Sequence, residues 1–275
     1  MNTGGERWTR FYDSWVNPDE PVPRTTFAAA LERTFEEFPK SPAWYFLGTR
    51  ATYGDLDALS GRFAAFLASA GIKKGDVIGI CLPNIPQYMI AFAAAVRMGC
   101  ICTGVSPLLT ASELVHQLVD SGARALVIMD SLFEQKLMKV SDQLPALGVV
   151  VAANVGDFLP VYKRALGRLF KKIPSGRVAP IPGKVVRRFM ECLQGGRPEF
   201  KTADIAPDDV CVIQYTGGTT GLPKGAELTN RSLVSNVTFS TIWLKMERGT
   251  ETICSAFPFF HLAGLIFAMG VLITG

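Results

Sequence analysis

Apolar residues in the first 150 positions recur with two alternating periods. Phe27, Leu31, Phe35 and Phe38 stand four, four and three apart, the stripe of an amphipathic helix, with Thr25 or Thr26 placed to cap its start. The runs 44–47 and 51–53, joined through Gly48, predict a short hairpin. A helix is expected over 55–70, stopped by Gly71. Beyond it, short apolar runs predict strands at 77–81, 101–104, 125–129 and 149–152, separated by helical patterns over 85–97, 111–121 and 131–144. Short apolar strands alternating with longer helices predict parallel β-α-β units with both sheet faces covered, an α/β fold.

Residues 154–209 interrupt that rhythm. Six prolines and six glycines punctuate them, leaving room for one short helix. Alternation resumes with strands expected at 210–215, 226–228 and 251–256, a helix over 230–243 capped by Thr229, and a Pro-Phe-Phe-His turn before a last apolar helix. The chain is therefore divided into an N-terminal extension (1–24), a first α/β subdomain (25–153), a Pro/Gly-rich excursion (154–209) and the start of a further α/β subdomain (210–275). Two charge-free stretches, 77–96 and 252–275, are broken by prolines and polar residues; the longest clean apolar run, 262–273, is too short to span a bilayer.

Charge changes this picture. The 275 residues carry 28 Lys+Arg against 24 Asp+Glu, a net +4, but eleven basic and three acidic residues fall between 154 and 201. That segment is +8 and the rest is −4. Within it, Phe158, Tyr162, Leu166, Leu169, Phe170 and Ile173 keep helical spacing, with Lys163, Arg164, Arg168, Lys171 and Lys172 between them. This is a basic amphipathic segment, expected either as a solvated excursion or as a peripheral contact with an anionic membrane through 158–188. No base-stacking or recognition motif accompanies it, so nucleic acid is not an expected partner. Six scattered cysteines without a CxxC pair, and two histidines in all, speak against zinc and for buried free thiols in a reducing compartment. The polar N-terminus lacks the apolar core of a secretory signal, so a cytoplasmic location is expected.

The candidate chemistry lies in Tyr215-Thr216-Gly217-Gly218-Thr219-Thr220-Gly221-Leu222-Pro223-Lys224-Gly225. Glycines turn backbone N–H groups toward a ligand, threonine hydroxyls add donors and the lysine adds a point charge, a combination suited to a polyphosphate. The plain alternative is an ordinary glycine-rich hairpin. A Walker A loop is excluded by spacing: counted from Gly218, its second glycine and its Mg²⁺-binding hydroxyl would fall where Pro223 and Gly225 stand. Strand-like residues follow, so the loop is expected between two strands.

With Gln214 in front, this run resembles the signature of the acyl-adenylate-forming (AMP-binding) superfamily, and is most similar to the form in long-chain fatty acid–CoA ligases. Gly71-Ile72-Lys73-Lys74-Gly75-Asp76, Leu82-Pro83-Asn84, Pro107-Leu108-Leu109-Thr110 and Pro258-Phe259-Phe260-His261-Leu262-Ala263-Gly264 extend the similarity over roughly 27–275. Ser106 and Asn230 depart from the usual residues, outside the phosphate-binding run. The resemblance implies ATP-dependent activation of a fatty acid through an acyl-adenylate to the coenzyme A thioester, with Mg²⁺. It places Thr216, Gly217, Gly218, Thr219, Thr220, Gly221 and Lys224 around the β- and γ-phosphates, and identifies 210–275 as the start of the nucleotide-binding subdomain. It also implies that His261 is catalytic at the wall between nucleotide and acid, with Phe260 and Gly264 lining the acyl tunnel and Gly264 leaving room for the alkyl chain. His116 is expected to be structural.

The family's ribose-binding aspartate, its Tyr-Gly-x-Thr-Glu segment and its C-terminal lysine have no counterpart within these 275 residues. The chain is read as an N-terminal fragment, inactive alone. Alternative readings are a fatty acyl-AMP ligase serving a carrier protein, and a non-catalytic nucleotide- or lipid-binding protein. The 275-residue polypeptide by itself is expected to give negligible acid-dependent ATP–pyrophosphate exchange.

Overall fold

The computed structural model describes residues 8–170, 172–194, 200–217 and 222–275. Helix α1 (Phe27–Glu37) starts at Thr26, whose hydroxyl accepts from the Ala29 amide. Strands β1 (Pro42–Phe46) and β2 (Thr49–Thr52) form an antiparallel hairpin that turns at Leu47 and Gly48, both at positive φ. Helix α2 (Tyr53–Ser69) opens with a reciprocal Thr52–Asp55 cap. There follow β3 (Val77–Cys81), α3 (Pro86–Arg97), β4 (Ile101–Gly104), α4 (Ala111–Asp120), β5 (Ala123–Met129), α5 (Asp130–Gln135), β6 (Val149–Ala153), α6 (Val161–Leu169), β7 (Val185–Arg188), α7 (Phe189–Cys192), β8 (Val210–Thr216), β9 (Lys224–Thr229), α8 (Asn230–Trp243) and α9 (Leu262–Thr274).

Seven strands form one sheet in the order β7-β6-β5-β3-β4-β8-β9, parallel throughout except that β9 runs antiparallel to β8. The expected α/β architecture, a mostly parallel sheet flanked by helices, is the one formed. Alternate side chains of β3 serve opposite cores. Ile78 and Ile80 pack among Phe27, Phe63 and Phe92 of α1–α3, whereas Val77 and Cys81 meet Leu114, Leu118 and Phe133 of α4 and α5. Every residue of α3 is buried, which explains the charge-free stretch at 77–96. Among the described residues no helix is long and apolar enough to cross a membrane.

Several expectations need correction. The helix expected over 131–144 breaks after α5 into the 3₁₀ turns Leu137–Lys139 and Ser141–Gln143. The chain bends at Lys136, whose ammonium reaches the carbonyls of Pro107 and Leu109. Residues 251–256 form no strand, and no strand among the described residues pairs with them. The excursion 154–209, expected to hold only one short helix, supplies β7, parallel to β6 at one edge of the sheet, with β8 and β9 at the other. Five of the six free cysteines are buried, but Cys254 is exposed.

The helical layer turns on Arg97, a guanidinium only 3% exposed at the end of α3. It pairs with Glu32 of α1 at 2.7 Å and with Asp57 of α2 at 2.9 Å, and donates to the Ser60 hydroxyl at 2.8 Å. The rings of Phe35 and Phe200 lie 5.2 and 5.1 Å from its central carbon. Its carbonyl accepts from Ala203, so the chain returning from the excursion is tied to the same point. A buried charge with one partner removed is worse than none at all. Arg97→Met is therefore expected to lower unfolding free energy by about 3 kcal/mol, read as an earlier urea midpoint at unchanged slope.

Candidate functional site

Strands β3, β4 and β8 are parallel and adjacent, so their carboxyl ends open along one edge of the sheet, where loops of α/β folds gather ligands. Each end carries a feature that holds the loops there. After β3, the Asn84 side chain donates to the Phe257 carbonyl at 2.8 Å and to the Ser255 hydroxyl at 3.2 Å, and accepts from the Phe259 amide at 2.8 Å. At the end of β4 a Cβ on Gly104 would stand 2.6 Å from the Phe260 carbonyl oxygen, so only glycine lets that backbone approach. On β8, the Gln214 amide nitrogen donates to the carbonyls of Tyr215 and Phe260, both at 3.4 Å, while its Oε1 has no partner among the described residues. Buried Tyr88 completes the set by donating to the Phe259 carbonyl at 2.9 Å.

The glycine-rich run joins β8 to β9 as expected, between two strands. Thr216 and Lys224 face each other at its mouth, both exposed, and the Thr216 hydroxyl donates to the Lys224 carbonyl at 3.5 Å. Nothing lies within 4 Å of a Cβ placed on Gly217. Gly218, Thr219, Thr220 and Gly221 lie outside the described residues. Helix α4 braces both arms: Nε2 of His116 donates to the Pro223 carbonyl at 3.1 Å, and the Tyr215 hydroxyl donates to Asp120 at 2.5 Å. A carbonyl can only accept, so the His116 proton sits on Nε2. Burial, then the Asp120 carboxylate, push the Tyr215 phenol above its ordinary range, so it stays a donor.

His261 is the N-cap of α9, exposed, with Nδ1 accepting from the Ala263 amide at 3.3 Å. That places the proton of the neutral ring on Nε2, the nitrogen not used by the cap. Phe260 is half-buried against Gly104. At Gly264 a Cβ would lie 2.1 Å from the Pro258 carbonyl oxygen, so the missing side chain lets the turn pack on α9. A cleft of 440 Å³, mainly apolar, does open nearby, lined by Trp44, Phe46, Met89, Phe259, Phe267 and Val271 among others. Phe260, His261 and Gly264 are not in its wall.

The structure thus brings Thr216, Gly217, Lys224, Phe260 and His261 to one sheet edge through Gln214 and Gly104. Sequence reasoning missed Asn84, Tyr88 and Gln214 as the residues that hold it. A Pro-Asn pair directly after a strand was the available signal for Asn84, since asparagine readily bonds loop backbone. Buried thiols contribute no nucleophile: burial pushes Cys81, Cys100, Cys192 and Cys211 up to about 12. Among the described residues no three His, Cys, Asp or Glu side chains gather to hold a metal.

Comparison with known proteins gives the chain's family and fold. The model of the family described as AMP-binding enzyme matches residues 31–275, and the chain belongs to that family. It is 32% identical over 275 residues to a long-chain-fatty-acid–CoA ligase of Bacillus subtilis, covering 95% of this chain and 47% of the relative. The corresponding ligase of Escherichia coli O157:H7 is 34% identical over 257 residues, with 91% and 44% covered. The chain therefore spans about half the length of the curated relatives it matches. Its fold is shared with a long-chain-fatty-acid–CoA ligase of Archaeoglobus fulgidus, at TM-score 0.74, 21% identity and coverage of 96% and 48%. Acetoacetyl-CoA synthetase of Streptomyces lividans also gives 0.74, at 19% identity over 90% of this chain and 37% of that one.

Asn84→Ala should free the 255–259 backbone without disturbing the sheet. Amide exchange at Phe259, measured by mass spectrometry or NMR, is expected to quicken about tenfold or more, with β3 and β5 amides unchanged.

Proposed function

We propose that this chain forms the N-terminal part of an ATP-dependent ligase that activates a long-chain fatty acid as its acyl-adenylate and transfers it to coenzyme A. The observation that carries this reading is the β8–β9 hairpin. It opens at the carboxyl edge of a parallel sheet with Thr216 and Lys224 at its mouth, one buried amide away from the turn bearing His261. Membership of the AMP-binding family supports it.

In the first half-reaction an oxygen of the fatty carboxylate attacks the α-phosphorus of ATP, and the bond to pyrophosphate breaks. In the second, the coenzyme A thiolate attacks the acyl carbon and AMP leaves. Both partners of the first step are anions, so the protein must position them and offset their charge. Thr216, Gly217, Gly218, Thr219, Thr220 and Gly221 supply hydroxyl and backbone donors to the β- and γ-phosphates. Lys224 acts as an electrostatic clamp on the departing pyrophosphate, and no proton transfer is assigned to it. Mg²⁺, held chiefly by the phosphates, would neutralise further charge. His261 donates from Nε2 toward the carboxylate or α-phosphate, while Nδ1 keeps the ring fixed as the cap of α9. The apolar cleft suits a long alkyl chain better than a polar acid.

Acid-dependent ATP–pyrophosphate exchange by the full-length protein tests the assignment. Lys224→Ala is expected to lower it about a hundredfold. His261→Ala should impair exchange more than nucleotide binding, and His261→Asn separates the two roles of the ring, because asparagine retains the cap but not the Nε2 donor. Equal loss of exchange and binding in His261→Ala would overturn its role, as would full activity in His261→Asn.

A further inference from the structure

Helix α6 is inside out. Val161, Ala165 and Leu169 recur every fourth position along one line of it, and Tyr162, Leu166 and Phe170 along the neighbouring line, Phe170 continuing the helix through its bond to the Leu166 carbonyl. An ordinary surface helix turns such a stripe to the core. Here all six residues are exposed, the large ones from 51% at Leu166 to 73% at Leu169. The opposite face meets the body. Lys163 is half-buried there and donates to the Leu47 carbonyl at 2.8 Å, Arg164 is half-buried beside Gly156, and Gly167 is small enough to admit Ile173. The chain uses cationic stems to hold the helix down and presents its apolar stripe outward.

Isolated exposed apolar residues are commonplace; a continuous stripe on one helix is not. Its surroundings specify the partner. The helix lies in the segment with a charge of +8, and Lys172, Arg177 and Arg187 follow closely in the chain, in a protein otherwise net negative. A second copy laid face to face on this stripe would bring the two basic segments together, which like charges oppose. An anionic lipid surface satisfies both features at once: it takes the apolar stripe between its head groups and offers phosphates to the cations.

We propose that α6 is a membrane-docking helix that seats the protein on anionic lipid, with Leu169 and Phe170 entering the interface. The surface is distinct from the β8–β9 hairpin and stands on its own whether or not the ligase reading holds.

The test uses the full-length protein and sedimentation with vesicles of phosphatidylcholine, with or without about 30% phosphatidylglycerol. Binding is expected only to the anionic vesicles and should fall at high salt. Leu169→Glu with Phe170→Glu should weaken it about tenfold or more, and Lys171→Glu with Lys172→Glu several-fold. Thermal melts and pyrophosphate exchange on a water-soluble acid should stay unchanged in both variants, since Leu169, Phe170 and Lys172 are solvent-facing. Leu169→Ala with Phe170→Ala gives a milder check that needs no new charge. The proposal is overturned if the wild type binds neither vesicle, if both vesicles bind it equally, or if the variants bind like the wild type. A dimer that dissociates on Leu169→Glu would also overturn it, by showing a second copy on the stripe. Loss of exchange in the wild type would count against the ligase and leave the vesicle result standing.

Discussion

Loops at the carboxyl edge of a parallel sheet have left the hydrogen-bond ladder, yet their peptide groups are pressed against the protein and still need partners. In this molecule side chains meet that need. Asn84 serves both donors and acceptors across 255–259, Gln214 and Tyr88 take carbonyls of the 259–260 turn, Lys136 takes those of the 107–109 loop, and His116 takes that of Pro223. The site's shape follows from this requirement. Tyr88 comes from α3, His116 from α4 and Gln214 from β8, while Asn84 stands in the β3–α3 loop and Lys136 at the end of α5, so Pro223 and the His261 turn are tied to elements of the same sheet layer.

The helical layer on one face depends on a different bond type for the same end. Arg97 joins α1, α2 and α3 through two carboxylates and two aromatic rings. A guanidinium suits this position because its planar fork can satisfy several acceptors at once while its faces remain available for stacking. α3, which begins two residues after Asn84, is thereby held at its far end, and the edge it supports cannot tilt freely.

Much of this was legible in the sequence where the information is local. Apolar periodicity gave the strands at 77–81 and 101–104 and the helices starting at Phe27 and Asn230, because spacing alone decides which face can be buried. The glycine-rich run, with Pro223 and Gly225 against a Walker loop, led to a loop between two strands. What failed was non-local. Whether 251–256 forms a strand depends on a neighbour the segment does not specify, and Val185–Arg188 becomes a sheet edge only because β6 leaves that side open. The break at Lys136 follows from carbonyls some thirty residues earlier. The orientation of α6 was equally hidden, since periodicity shows that a stripe exists but not which way it points.

The contact between Gly104 and Phe260 has one more consequence. The end of β4 and the backbone just before His261 are separated by less than the width of a methyl group. Position 104 therefore acts as a gauge that sets how near the turn can come to the sheet. Because β4 is paired on both sides, the strand itself would resist displacement, and any added bulk would move the turn instead. Geometry at the histidine is thus inherited from a residue that carries no functional group.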